Sequence, residues 1–283
     1  MQPGEPSRTA FAAAAHRAAH QLLEQGKIFA DPLAMRILGE DEETVLRRAE
    51  EDPLRRGMRL FIAARTRLAE DALAAAVNQG ASQLVVLGAG LDTYAYRNPS
   101  QDGLRVFEID HPATQAWKRK RLQAAGIPLP ESLTFAPLDF ERETLAAGLV
   151  AAGFDLRRQT FFTWLGVVPY LTPEAMWVTL GFIASLAGSA HVVFDYSDPP
   201  DSLSARDREA HDRRAARVAS LGEAWLNYLS PKPLHARLLR LGFVEVEDLG
   251  PAEIAARFFP NRAGTSSSTG GHILRASTLA KPS

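Results

Sequence analysis

The sequence predicts an α/β fold: a seven-stranded, mostly parallel sheet with helices on both faces, a helical front end, and a helical insertion after the fifth strand. Three observations carry this reading. Residues 9–79 follow a helical pattern, and from Gln83 onward short β-rich runs alternate with helix-length segments, the signature of βαβ units. The 283-residue chain is also long enough to bury a substantial core.

The front end divides into Ala-rich helical segments at Thr9–Gln25, Pro32–Leu38 and Leu54–Val77, separated by Gly and Pro signals. We assign residues 1–80 to a helical cap and residues 81–283 to the core. The predicted strands are Leu84–Leu87, Arg105–Ile109, Leu133–Leu138, Thr160–Leu165, His191–Tyr196, Phe243–Val246 and His272–Ala276. The last two lack βαβ spacing, which suggests one antiparallel edge. Residues 201–232, polar and dense in charge around Arg206–Glu209, read either as a lid over the carboxyl edge of the sheet or as a solvated surface helix. Asn261–Gly271, rich in Ser, Thr and Gly, reads as a flexible loop.

Charge and composition narrow the partners. Lys and Arg total 32 against 33 Asp and Glu, without a one-sign block, so neither nucleic acid nor an acidic membrane is expected and a small-molecule ligand fits better. Cysteine is absent, which removes disulfides and thiolate chemistry. The first fifteen residues lack a signal-peptide pattern, so a cytoplasmic protein is expected. The apolar run Ala175–Gly188 is shorter than the roughly 20 residues that cross a bilayer and reads as a packed helix.

Chemistry concentrates at strand ends. LVVLGAGLD runs a buried strand into Gly88-Ala89-Gly90, where small residues let the backbone approach a ligand. A dinucleotide fingerprint would place a third glycine where Thr93 stands, which disfavours a pyrophosphate ligand. Asp110 ends the run RVFEID and shares a strand face with Glu108; an acid there can accept both ribose hydroxyls of an adenosine, or pair with Arg97 or Arg105. Asp139-Phe140 could bind and cover an adenine, or Asp139 could cap a helix. Arg65 falls within the apolar stripe of its helix, so its guanidinium points inward toward an anion: a ligand carboxylate such as that of S-adenosylmethionine, or an internal acid such as Asp92.

In FFTWLGVVPYLTPEA, Thr172 is the expected N-cap with Pro173 at the first helical position. Trp164 is assigned either to a cation–π contact with the cofactor or to the core, and Tyr170 and Tyr196 to the acceptor pocket. His16 and His20 in HRAAH stand one helical turn apart, but Arg17 replaces the glutamate of a zinc protease and no third ligand is evident, so no metal is assigned.

Together, HRAAHQ, IFADPLA, FIAARTRLAEDAL, VVLGAGLDT, FEIDHP, LDF, WLGVVPYLTPE and the late NRAG to GGHI stretch resemble the leucine carboxyl methyltransferase-like family. Within it the chain is similar to bacterial O-methyltransferases of polyketide pathways, the tetracenomycin type. This resemblance implies a Rossmann-like methyltransferase core using S-adenosylmethionine, with residues at the positions of Arg65, Gly88, Asp110, Asp139 and Phe140 on the cofactor. Many relatives carry an acid just before the fourth-strand glycine, where this chain has Leu165 before Gly166. The resulting expectation is methyl transfer to a small-molecule oxygen, a carboxylate ahead of a phenol, because a carboxylate is ionised at neutral pH and needs no base. A non-catalytic S-adenosylmethionine-binding protein is the alternative, with a nicotinamide dehydrogenase behind it.

Overall fold

The computed structural model describes residues 6–51, 55–98, 103–139, 143–259 and 270–280. The cap contains α1 (Arg8–Leu23), α2 (Ala34–Leu38), α3 (Glu42–Glu50) and α4 (Arg55–Asn78). The core then runs β1 (Gln83–Leu87), α5 (Tyr94–Arg97), β2 (Arg105–Asp110), α6 (Pro112–Ala124), β3 (Leu133–Pro137), α7 (Leu145–Ala151), β4 (Thr160–Trp164), α8 (Pro173–Ser185) and β5 (Ala190–Ser197). It closes with α9 (Ala205–Ser220), α10 (Pro231–Leu241), β6 (Glu245–Leu249), α11 (Pro251–Phe258) and β7 (Gly271–Ser277). Phe140 and most of the 261–271 loop lie outside the described residues.

Among the described residues the sheet has seven strands in the order β3-β2-β1-β4-β5-β7-β6. The chain leaves β1 toward one edge and returns at β4 on its other side, so the crevice between them is the topological switch point where open α/β sheets bind ligands. The antiparallel strand is β7, paired with β5 and β6, and it sits one place in from the edge. The expected antiparallel edge is therefore corrected: β6, the edge itself, runs with the parallel strands because it meets the sheet only through β7.

Both faces of the central strands are buried, with strict alternation. Leu84 and Val86 join the cluster formed with α1, α2 and α4, whereas Val85 and Leu87 join the one formed with α7, α8 and α10. The cap therefore shares one core with the sheet. Among the described residues, α9 contributes no apolar side chain to either cluster.

The expected N-cap of α8 is present, Thr172 accepting from the Ala175 N–H with Pro173 at the first position. Two elements differ from expectation. The charged helix α3 buries only Val45 and so lacks an apolar stripe to betray it; its N-cap Asp41 accepts from the Thr44 N–H at 2.7 Å, and Glu42 and Glu43 favour its positive end. Strand β6 begins two residues later than predicted, because Gly242 ends α10 in the left-handed conformation and Phe243 is spent as a core plug before pairing starts. Its acids, Glu245, Glu247 and Asp248, mask the strand signal and blunt an edge. No helix among the described residues is long and apolar enough to cross a membrane.

A polar cluster locks the β5–β7–β6 edge. His272 bonds Asp248 through Nδ1 and Asp198 through Nε2, both at 3.1 Å, and Asp248 also accepts from Tyr196 at 2.5 Å and pairs with His235 at 2.6 Å. Burial alone would lower the His272 imidazole, but the two carboxylates outweigh it and hold its pKa above the usual 6.5. A group raised on folding stabilises fully below its unfolded pKa, and that contribution is lost as pH rises through the folded value. Urea denaturation should therefore show stability falling from pH 6 toward pH 9, and His272→Gln should flatten this slope; an unchanged slope would remove His272 as its cause.

Candidate active site

The mouth of the switch point opens into one cavity of about 1430 Å³, bounded by α1, α4, the turns after β1, β2 and β4, and α9 with the segment that follows it. Its sheet-side wall begins at the glycine turn. Gly88 has φ +66, and a Cβ there would lie 2.4 Å from Val167 Cγ2, so only glycine lets the β1 and β4 turns meet. The Gly88 and Ala89 amides donate to the Ile109 carbonyl, and Gly90 N–H donates to Asp110 Oδ2 at 2.5 Å.

Asp110 faces the cavity with its other oxygen taking the His111 N–H at 2.7 Å. Burial pushes its carboxyl above the usual value, an effect opposed by those two backbone donors. His111 in turn caps α6, its Nδ1 accepting from Ala113 N–H at 3.2 Å. Glu108, on the same strand face, is fully buried against Lys118 Nζ at 2.7 Å and does not line the cavity; the partner is neither of the arginines expected.

The cap is fastened to this turn by Asp31, which is buried between Arg17, Arg97 and Thr93. Arg17 also donates to the Leu91 carbonyl at 2.5 Å. Thr93, where a dinucleotide fold would need glycine, thus serves as an anchor for the cap.

Arg65 points inward, as its place on the stripe requires, and lines the cavity. Its Nη1 donates to Asp195 Oδ2 at 2.7 Å, while Asp195 Oδ1 accepts from Gly166 N–H at 2.5 Å. The internal acid is thus Asp195 of β5, and Asp92 instead accepts from Tyr94 N–H. Arg65 Nε is buried and has no partner among the described residues. Gly166 is fixed by the same contact, since a Cβ there would lie 2.7 Å from Arg65 Nη2.

Other assignments separate. Tyr170 lines the cavity, and burial raises its hydroxyl. Trp164 does not line it: strand alternation turns Thr163 and Leu165 toward the cavity and Trp164 to the α8 side, edge-on to Phe194. Tyr196 is likewise excluded, stacked on His272 at 4.7 Å with its hydroxyl on Asp248. Asp139 follows β3 outside the cavity lining, and Thr144, in its place, caps α7. In HRAAH, His20 has both ring nitrogens engaged, by Glu24 and by the Phe29 N–H. Among the described residues no group of three or more His, Asp or Glu could hold a metal.

Three lining contributors escaped the sequence. His16 is held down to about 4 by burial and by Arg55, Arg59, Arg65 and Arg217, so its imidazole is neutral at pH 7. Glu223 accepts from Arg8 N–H at 2.7 Å and Ser7 Oγ at 2.9 Å, clasping the end of the insertion to the N-terminus of α1. Arg214 projects from α9 into the wall. Only Asp195 had a visible signal, a lone acid in the apolar run HVVFDYS.

The family model described as leucine carboxyl methyltransferase matches residues 10–184. A Bacillus subtilis protein, YktD, which carries the name of an S-adenosyl-L-methionine-dependent methyltransferase, is 31% identical over 93% of this chain and 94% of its own length. The chain belongs to the leucine carboxyl methyltransferase family. It is an S-adenosylmethionine-dependent methyltransferase. A Mycolicibacterium gilvum protein of the same name is 41% identical over 40% of this chain and 37% of its own. The solved structure of a duf574 family protein from Streptomyces avermitilis covers 96% of this chain and 97% of its own with a TM-score of 0.56 at 13% identity, a likeness of fold.

Within this family framework, Leu165 lines the cavity without a charge, and the buried acid near the β4 glycine comes from β5. Removing Arg65 would leave Asp195 buried and uncompensated. Arg65→Met should cost about 3–5 kcal/mol of stability in urea denaturation, and adding Asp195→Asn, whose amide oxygen can still accept from Gly166, should recover most of it. Absence of recovery would show that the pair is not the source.

Proposed function

We propose that the protein methylates a carboxylate oxygen of a small molecule in secondary metabolism, acting in the cytoplasm. The supporting observation is that, among the described residues, the cavity wall carries arginines and an imidazole disfavoured in its charged form, while His111 is committed to capping α6. The resemblance to polyketide tailoring enzymes supports the metabolic setting.

The residues present fit S-adenosylmethionine. The turn presents Gly88, Ala89 and Gly90 along the cavity wall, Asp110 offers remaining lone pairs to ribose hydroxyls, and Arg65 keeps a buried N–H, without a hydrogen bond among the described residues, for a carboxylate. Ala89 and Gly90, on the cavity wall, complete the cofactor set we propose, and Tyr170 belongs to the acceptor side. The cofactor supplies an electrophilic methyl group on a positively charged sulfur. An acceptor carboxylate would need no proton removed, so the chain's residues would have only to hold and orient it.

A phenol would need a base. His16 is held far below its usual value and His111 is committed to capping α6. The protein's task is then to orient, to neutralise the acceptor's charge enough to bind it, and to exclude water. The segment 201–232 serves as the lid in this reading, since α9 and Glu223 form one wall.

Two outcomes are expected. Asp110→Ala should weaken S-adenosylhomocysteine binding about tenfold or more by calorimetry, because a charged acceptor of hydroxyl hydrogen bonds is worth about 1.5–3 kcal/mol per bond; an unchanged Kd in the folded variant would end the ribose assignment. With methyl-labelled cofactor and a panel of aromatic acids, turnover should stay nearly flat from about pH 6 to 9, and the label should be released by mild alkali. An alkali-stable product with a steep pH rise would replace the carboxylate with a phenol.

A further inference from the structure

The charge around the acceptor side of the cavity does not balance. The lining acids are all engaged by local donors: Asp92 by Tyr94 N–H, Asp110 by Gly90 and His111, and Glu223 by the start of α1. Arg48, Arg59 and Arg65 have acids behind the wall, in Glu40, Glu24 and Asp195. Arg214 has none. Its Nε is buried without a hydrogen bond, and no ion pair forms with it among the described residues. Burial, reinforced by the neighbouring Arg213 and only partly offset by Asp207, holds its guanidinium below the usual value. A cation in that position is costly until an anion reaches it.

The same excess is felt across the cavity. Arg217 lies three residues from Arg214, on the same side of α9, and both line the wall. On the opposite side, the charged form of His16 on α1 is disfavoured first by burial and then by the three arginines Arg55, Arg59 and Arg65 of α4 and by Arg217. A single acceptor carboxylate placed for methylation, on the cofactor side near Arg65, would leave Arg214 without an anion.

We propose that Arg214 and Arg217 hold a second anionic group of the acceptor, which makes the substrate class a small molecule bearing at least two acidic groups, one methylated and one anchored. This rests on the reading of the cavity as an acidic-acceptor site. Guanidinium forks suit a carboxylate, sulfate or phosphate equally, so the recognised chemistry is the anion.

The test compares benzoate and isophthalate by calorimetric titration into the protein loaded with S-adenosylhomocysteine. Wild-type protein should bind isophthalate about tenfold or more tightly than benzoate, as expected for one added charge-assisted contact. The double variant Arg214→Gln/Arg217→Gln should reduce that advantage to about twofold or less with S-adenosylhomocysteine affinity unchanged, whereas Arg208→Gln, on the same helix but off the wall, should preserve it. Isophthalate should also raise the His16 titration midpoint, read by NMR, from about 4. Equal binding of the two acids by wild type, or an advantage that survives the double variant, overturns the proposal, and the wild-type comparison decides even if the variant misfolds. Failure of S-adenosylhomocysteine to bind would instead strike the methyltransfer reading, and the anion titration can still be read on the unloaded protein.

Discussion

One buried carboxylate, Asp195, ties the two halves of the molecule together at the point where chemistry is done. It takes the guanidinium of Arg65 from the cap with one oxygen and the Gly166 amide from the β4 turn with the other. The arrangement is costly to build, because both ions leave water, and worth having only where geometry matters more than stability. Here it sets the distance between α4 and the sheet at the switch point, and with it the width of the cavity. Asp31 repeats the device on the other side of the glycine turn, holding Arg17 and Arg97. Between these two anchors the cap has no freedom to drift.

The cavity that results has two electrical characters. Near the strand ends its polar groups are backbone amides and the Asp110 carboxylate, suited to a neutral sugar. Toward α9 and the far end of α4 guanidinium groups line it, and burial together with those groups keeps the imidazole of His16 uncharged. Under the proposed reading, an acceptor drawn in by positive charge is already ionised, so a fold positioning the methyl donor need not also supply a base.

Much of this was legible in the chain. The switch from helical period to β-rich runs located the strands: the central ones, buried on both faces, read as continuous apolar stretches, whereas the acids of β6 blurred where it begins. Arg65 was legible as an inward cation because it interrupts an apolar stripe, yet its partner lies 130 residues away and no local pattern could name it. Trp164 and Tyr196 were drawn toward the site by strand-end position alone; alternation sends them to the opposite layer. The clasp of Glu223 on α1 joins residues more than two hundred apart and had no local signal, whereas the polar stretch that forms α9 was legible as a lid or a surface helix but not in its contacts.

The way α9 is held has a consequence for how the protein breathes. Its inward side meets the cavity and not an apolar cluster, so opening it sacrifices little of the burial that stabilises the rest. Its amides should therefore exchange with solvent through local excursions, while those of β1, β4 and β5, buried on both faces, wait for global unfolding. Stability in this molecule is graded by distance from the sheet, and α9, which walls the cavity, stands at the loosest end of that gradient.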